Sequence, residues 1–219
     1  MSHMIHRTES FRGMLVGLLA LTVTLALSLL LYPAHEARAA DDSETELAKK
    51  TQNPVADLIS VPFQSNFNFN TGTKDATVYV LNVQPVIPIK LSEDWNLITR
   101  TIMPIINQPS LFPHMESAFG MGDINPTLFF SPAKPGALIW GVGPTLTLPT
   151  ATDRLLASGK YSMGPAAVAL TMHGPWVVGA LVNQQWSFAG WGHHDVNQML
   201  IQPFINYNFD HGWYATTAP

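Results

Sequence analysis

The chain is 219 residues long, 47% hydrophobic and only 12% charged, with a formal net charge of −4. An ordinary soluble domain carries about 25% charged residues, and a slightly acidic chain offers no basic surface for nucleic acid. Cysteine is absent, which excludes disulfides and thiolate metal sites and leaves the redox compartment open.

His6, Arg7 and Arg12 precede an apolar stretch from Met14 to Leu31, and Ala37 and Ala39 follow in an A-x-A arrangement. That order matches a secretory signal peptide cleaved after Ala39. An uncleaved anchor is the alternative, because the apolar stretch is long for a signal core. Residues 1–39 are therefore read as the signal peptide, 40–57 as a short helical periplasmic or plug-like segment, and 58–219 as the main domain. Ser43 and Glu46 have capping-box spacing, which predicts a helix from about Glu44 to Gln52. Pro54 interrupts it, and Asn53 is placed to cap a further turn.

After residue 40 no apolar run approaches the ~20 residues of a membrane helix. From residue 58 the hydrophobic period is two, that of β-strands. Ile59, Val61, Phe63, Phe67 and Phe69 alternate with Ser60, Gln64, Asn66 and Asn68. Tyr79, Leu81, Val83, Ile87 and Ile89 face away from Asn82, Gln84 and Lys90. Ile124, Leu128 and Phe130 oppose Asp123, Asn125, Thr127 and Ser131. Leu138, Trp140, Val142, Pro144, Leu146 and Leu148 alternate with Ile139 and then small or weakly polar residues, Gly141 to Pro149. Met199, Ile201, Ile205, Tyr207 and Phe209 oppose Gln198, Gln202, Asn206 and Asn208. Further strands are expected at Asn96–Asn107, Tyr161–Met172, Trp176–Phe188 and from Trp213. Gln184 falls on the apolar face of its strand.

A soluble sandwich would bury the large apolar side, whereas a membrane barrel turns it to lipid. Three patterns favour the barrel. The polar faces carry Asn, Gln, Ser and Thr, and nearly all charged residues after residue 57 fall in expected turns or loops, with Arg100 the main exception. Tight turns at 91–94, 133–136, 173–175 and 210–212 alternate with longer connections at 71–76, 108–121, 150–160 and 189–196, as short periplasmic turns alternate with outer loops. Trp95, Trp176 and Trp213 stand immediately after tight turns and Trp140 close after one, which reads as an interface aromatic girdle. The fold class expected is all-β, an antiparallel up-and-down transmembrane β-barrel with a short N-terminal helix. Its lumen face would present Asn82, Gln84, Arg100, Asp123, Asn125, Gln198, Gln202 and Asn206.

Pro85, Pro88, Pro104, Pro126, Pro144, Pro165 and Pro203 lie inside expected strands, where each removes a ladder donor, so bulges or bends are expected there. About nine strands can be drawn. Bacterial single-chain barrels have even numbers, so the barrel is expected to be incomplete, truncated at its carboxyl end.

The segments "QNPVADLISVPFQSNFNF", "EDWNLITRTIMPI", "GDINPTLFFSPAKPGALIWGVGP", "LPTATD" and "GPWVVGALVNQQWSFAG" resemble bacterial outer-membrane proteins of the MetA-pathway phenol-degradation family. Such proteins are called transporters, and some carry the misnomer neuromedin U. The resemblance covers about residues 44 to 219. It implies an outer-membrane barrel continuing past Pro219 by about three strands, with no catalytic motif to carry over.

Candidate chemistry is sparse. His193, His194 and Asp195 have donor types that bind zinc or copper, although a solvated outer loop explains them better. Ser187 with a nearby histidine raises an outer-membrane lipase, but no G-x-S-x-G is present. "SGKYS" at 158–162 lacks the earlier glycine of a P-loop. Arg100 and Asp123 are expected to form a structural pair, with a pore constriction as the alternative. The leading function is a passive channel for small, aromatic or apolar solutes. A barrel with a filled interior and a structural or surface-interaction role is the second reading, and a lipid hydrolase the third. The expected partners are the outer-membrane bilayer, the barrel-assembly machinery and an unidentified small solute. No cofactor, catalytic residue or nucleic acid is expected.

Overall fold

The computed structural model describes residues 37–192 and 194–218. The expected signal sequence up to residue 36 lies outside them. Every strand among the described residues belongs to one compact unit, Ser43–Pro219. Helix α1 spans Ala37–Thr51. Ser43 therefore lies within the helix and is not its N-cap, because the helix formers Ala37, Arg38, Ala39 and Ala40 carry the helix upstream of the expected start. Lys49 and Lys50 occupy the last turn, where cations complement the exposed carbonyls. Beyond Pro54 there is one tight turn. Asn53 Oδ1 accepts from the Val55 N–H at 3.0 Å and the Asn53 carbonyl from Ala56 N–H at 3.2 Å.

Eleven strands follow: β1 (Phe63–Thr71), β2 (Ala76–Val83), β3 (Val86–Lys90), β4 (Trp95–Gln108), β5 (Ala118–Met121), β6 (Asn125–Pro132), β7 (Leu138–Thr147), β8 (Lys160–His173), β9 (Trp176–Gly190), β10 (Asn197–Asn208) and β11 (Tyr214–Thr217). They form one sheet in the order β1-β2-β4-β6-β7-β8-β9-β10-β11, with β3 and β5 also paired to β4. β2 and β3 run one after the other along one edge of β4, and β5 and β6 along the other. The eleven segments thus make nine antiparallel passes of a meander, curled into a half barrel. β1 and β11 are its ends and leave one edge each unpaired among the described residues.

The tight turns at 91–94 and 133–137 join consecutive passes at one end of the sheet, here called the lower end. The shortest, Gly174–Pro175, links the paired residues His173 and Trp176. Gly174 has φ +56° and is followed by the fixed negative φ of proline, a pairing that suits a type II′ hairpin. At the upper end, 109–117, 148–159 and 191–196 are longer, but the β1–β2 connection is only 72–75 and so shorter than the sequence pattern implied. Gly72 at φ +71° and Asp75 at φ +49° tighten it.

The prolines do not behave as expected. Only Pro85 coincides with a break, between β2 and β3. Pro88, Pro104, Pro126 and Pro203 lie in register opposite Ile98, Asn82, Thr101 and Ala180, and Pro144 faces Pro165. A strand residue points its N–H at one neighbour only, so each proline thins one ladder and spares the other. The β7–β8 ladder runs unbroken from Leu138↔Thr171 to Thr147↔Ser162. The loss falls outside it, where β6–β7 keeps only Thr127↔Thr145 and Phe130↔Val142, and β8–β9 has no pairs at Gly164 or Pro165. Gly143 and Gly164 precede these prolines. A Cβ on either would collide with the carbonyl of Leu128 or of Gln184, respectively, so glycine is what lets the strands close in there.

Candidate functional site

The two faces of the sheet differ in kind. On the convex face large apolar side chains stand exposed: Phe63, Phe67, Phe69, Ile87, Ile89, Phe130, Leu138, Val142, Val178, Met199, Ile201 and Ile205. Aromatic residues collect toward its two ends. At the lower end Trp95 meets Trp140 edge-on at 6.0 Å between ring centroids, and Trp176 meets Tyr207 at 4.8 Å. Trp213 is 75% exposed. At the upper end Phe67 packs on Tyr79 and Tyr161 on Phe188. Trp176 and Trp186 lie on the same face of β9. Ten residues of strand span ~33 Å.

The concave face encloses a cavity of about 680 Å³. Of the lumen candidates, Asn82, Gln84, Arg100, Asn125, Gln198 and Gln202 line it. Asn206 lines a second cavity of about 420 Å³ nearer the lower end, where it accepts from Thr216 Oγ1 at 2.6 Å. Gln84 and Arg100 border both cavities. Asp123 lines neither. It sits in the gap between β5 and β6 and clamps the 148–159 loop, its Oδ1 accepting from Ala151 N–H and its Oδ2 from the Ser158 N–H and hydroxyl.

The expected Arg100–Asp123 pair is therefore not formed. Arg100 Nη2 instead donates to Gln84 Oε1 at 2.6 Å. Gln84 Nε2 donates to Gln64 Oε1 at 2.7 Å, and Gln64 Nε2 to Asn66 Oδ1 at 3.2 Å. The guanidinium can only donate, so it turns the Gln84 carbonyl toward itself and orients each following amide in turn.

Below the amide chain the concave face changes character. Val86, Ile98, Phe129, Ala166, Val168, Leu170, Val177 and Leu181 form the buried core, with Val55 inserted among them from the N-terminal segment. Gly141 makes room for it, since a Cβ there would lie 2.9 Å from Val55 Cγ1 and 3.2 Å from Phe129 Cβ. Gln52 and Asn208 exchange amide hydrogen bonds beside this insertion, the shorter from Gln52 Nε2 to Asn208 Oδ1 at 2.6 Å. Thr45 Oγ1 donates to the Phe209 carbonyl. Thr127 and Thr145 share a buried hydroxyl contact of 2.8 Å between the two regions.

The inserted core escaped the alternation pattern, though it left a trace there. Ile98 between Asn96 and Arg100, and Phe129 between Thr127 and Ser131, are apolar intrusions on a polar face, and they pair with each other across β4 and β6.

The loop residues singled out for chemistry are held in structural roles. Lys160 Nζ pairs with Asp195 at 3.1 Å, and Arg154 lies 5.6 Å from the Trp191 ring centroid. His194 is exposed and His193 lies outside the described residues. Among the described residues no three His, Cys, Asp or Glu groups cluster as metal ligands. Ser187 Oγ accepts from Val196 N–H at 2.9 Å and so closes the β9–β10 loop. Gln184, the polar residue on the apolar face, donates to Asn197 Oδ1 across the strand pair at 2.8 Å.

No family model, curated protein or solved structure matches this chain.

Proposed function

We propose that this chain forms the wall of an outer-membrane β-barrel that conducts small solutes passively. One observation carries this reading: the sheet is apolar on its exposed convex face and amide-lined around an internal cavity. A soluble domain would waste that arrangement, whereas a bilayer solvates the outer face and water the inner one. The unpaired edges of β1 and β11 would be costly in hydrocarbon, where each unsatisfied backbone group costs several kcal/mol. The reading therefore requires further strand pairing at those edges to close the wall. The sequence resemblance to the MetA-pathway phenol-degradation family points to the same compartment and to aromatic or apolar solutes.

The test is flux. The protein, extracted from the membranes of cells that make it and reconstituted in liposomes, is expected to admit small phenolic and sugar solutes at measurable and unequal rates. Liposomes that stay tight to both would defeat the channel. The orientation has its own check, because Val142→Arg on the convex face should cost about 2–4 kcal/mol of folding stability in bilayers.

A second reading has its own support. Val55 and the core around it fill the lower lumen, as side chains fill a small barrel, and a barrel so filled would serve as a structural or surface-interaction element.

A further inference from the structure

We infer that Arg100 makes this lumen selective for small anions, organic carboxylates among them; the inference rests on the channel reading above and names its substrate class. Arg100 is the only charged side chain among the described residues that line the larger cavity, and it also borders the lower one. It therefore stands at the border of the two cavities, with Gln64, Gln84 and Gln202 beside it. Among the described residues Lys49–Glu46, Lys90–Glu93 and Lys160–Asp195 are ion-paired, and no carboxylate is paired with Arg100. Asp123, the acid nearest to it in the sequence pattern, is committed to the 148–159 loop.

The partner that Arg100 does have is neutral. Gln84 Oε1 takes one of the five N–H donors of the guanidinium. The remaining donors keep the fork geometry that receives a carboxylate. An ionisable group within a membrane-spanning wall marks a solute or ion path. One uncompensated charge between low-dielectric walls raises the local concentration of ions of the opposite sign. Arginine and lysine do this in anion pores. The other polar lining groups are amides and hydroxyls, which solvate either sign, so the preference depends on this one residue.

The experiment is a reversal-potential measurement on the membrane-extracted protein in planar bilayers under a potassium chloride gradient, repeated with potassium benzoate. The native protein is expected to favour chloride and benzoate over potassium several-fold. Arg100→Gln should bring the ratio close to unity while conductance persists, and Arg100→Lys should keep the preference. Gln84→Glu sets a carboxylate against the guanidinium without removing it. It should abolish the preference as well, which keeps the test decisive if the Arg100→Gln chain does not fold. Conductance that is unselective or cation-selective in the native protein, or a preference that survives both Arg100→Gln and Gln84→Glu, would overturn this inference and leave the channel intact. No conductance from the native protein would remove the channel itself, and anion selectivity with it.

Discussion

The upper and lower halves of the concave face come from the same strands and obey different rules. Above, β4 contributes Arg100 and Ile102, β6 contributes Asn125, and β9 contributes Asn183 and Gln185 to an open polar cavity. Below, β4 contributes Ile98, β6 Phe129 and β9 Val177 and Leu181 to a closed core. Ile98 and Phe129 are each 0% exposed. In the lower half burial of apolar surface does the stabilising, and volume matters. In the upper half the side chains face space that water can enter, and what matters is which dipoles and charges they present to it. One strand can serve both regimes because its inward positions recur every second residue and each can be chosen independently.

Four single substitutions and one double, each followed by denaturant unfolding in lipid or detergent, would break or sharpen that contrast. Phe129→Ala removes the largest side chain of the lower core and should cost about 3–5 kcal/mol. Val55→Ala deletes two buried methyl groups from the inserted turn, so a loss of about 2 kcal/mol is expected, and no loss at all would mean that the insertion is not seated as described. At the boundary, Thr145→Val strands the buried Thr127 hydroxyl for about 1–2 kcal/mol. Changing both threonines to valine should restore most of that, because an absent polar pair costs less than an orphaned group. Asn82→Ala, in the upper cavity, should move stability by no more than about 0.5 kcal/mol. A cost at Asn82 comparable to that at Phe129 would erase the distinction between the halves.

Much of the wall was legible in the sequence, because period two is a local signal. β4, β8 and β9 fall within a residue or two of the strands drawn from alternation, and the convex face carries the apolar set that alternation selected. What was lost depends on distance. Val55 meets Phe129 and Gly141 across more than seventy residues of chain, and no periodicity encodes that meeting. Arg100 and Asp123 share a polar face in sequence, yet Asp123 lies in the break between β5 and β6, and a break of a few residues changes what a side chain can reach. Prolines misled in the opposite direction: they signalled distortion along their own strands, while the missing pairs lie in the ladders beside them.

The facing Gly143-Pro144 and Gly164-Pro165 segments give the wall an unusual distribution of strength. Sheets ordinarily loosen at their frayed ends, where amide protons exchange first, and hold fast at the centre. Here two neighbouring ladders, β6–β7 and β8–β9, lack pairs at mid-strand, while the ladder between them is continuous. Gly143 and Gly164 stand beside the facing prolines and donate within the continuous ladder, to Ala166 and Thr145, so their amide protons should exchange as slowly as those of the other paired residues of β7 and β8. The prolines weaken the wall at the two seams that join the β7–β8 hairpin to β6 and to β9, and leave the hairpin itself intact.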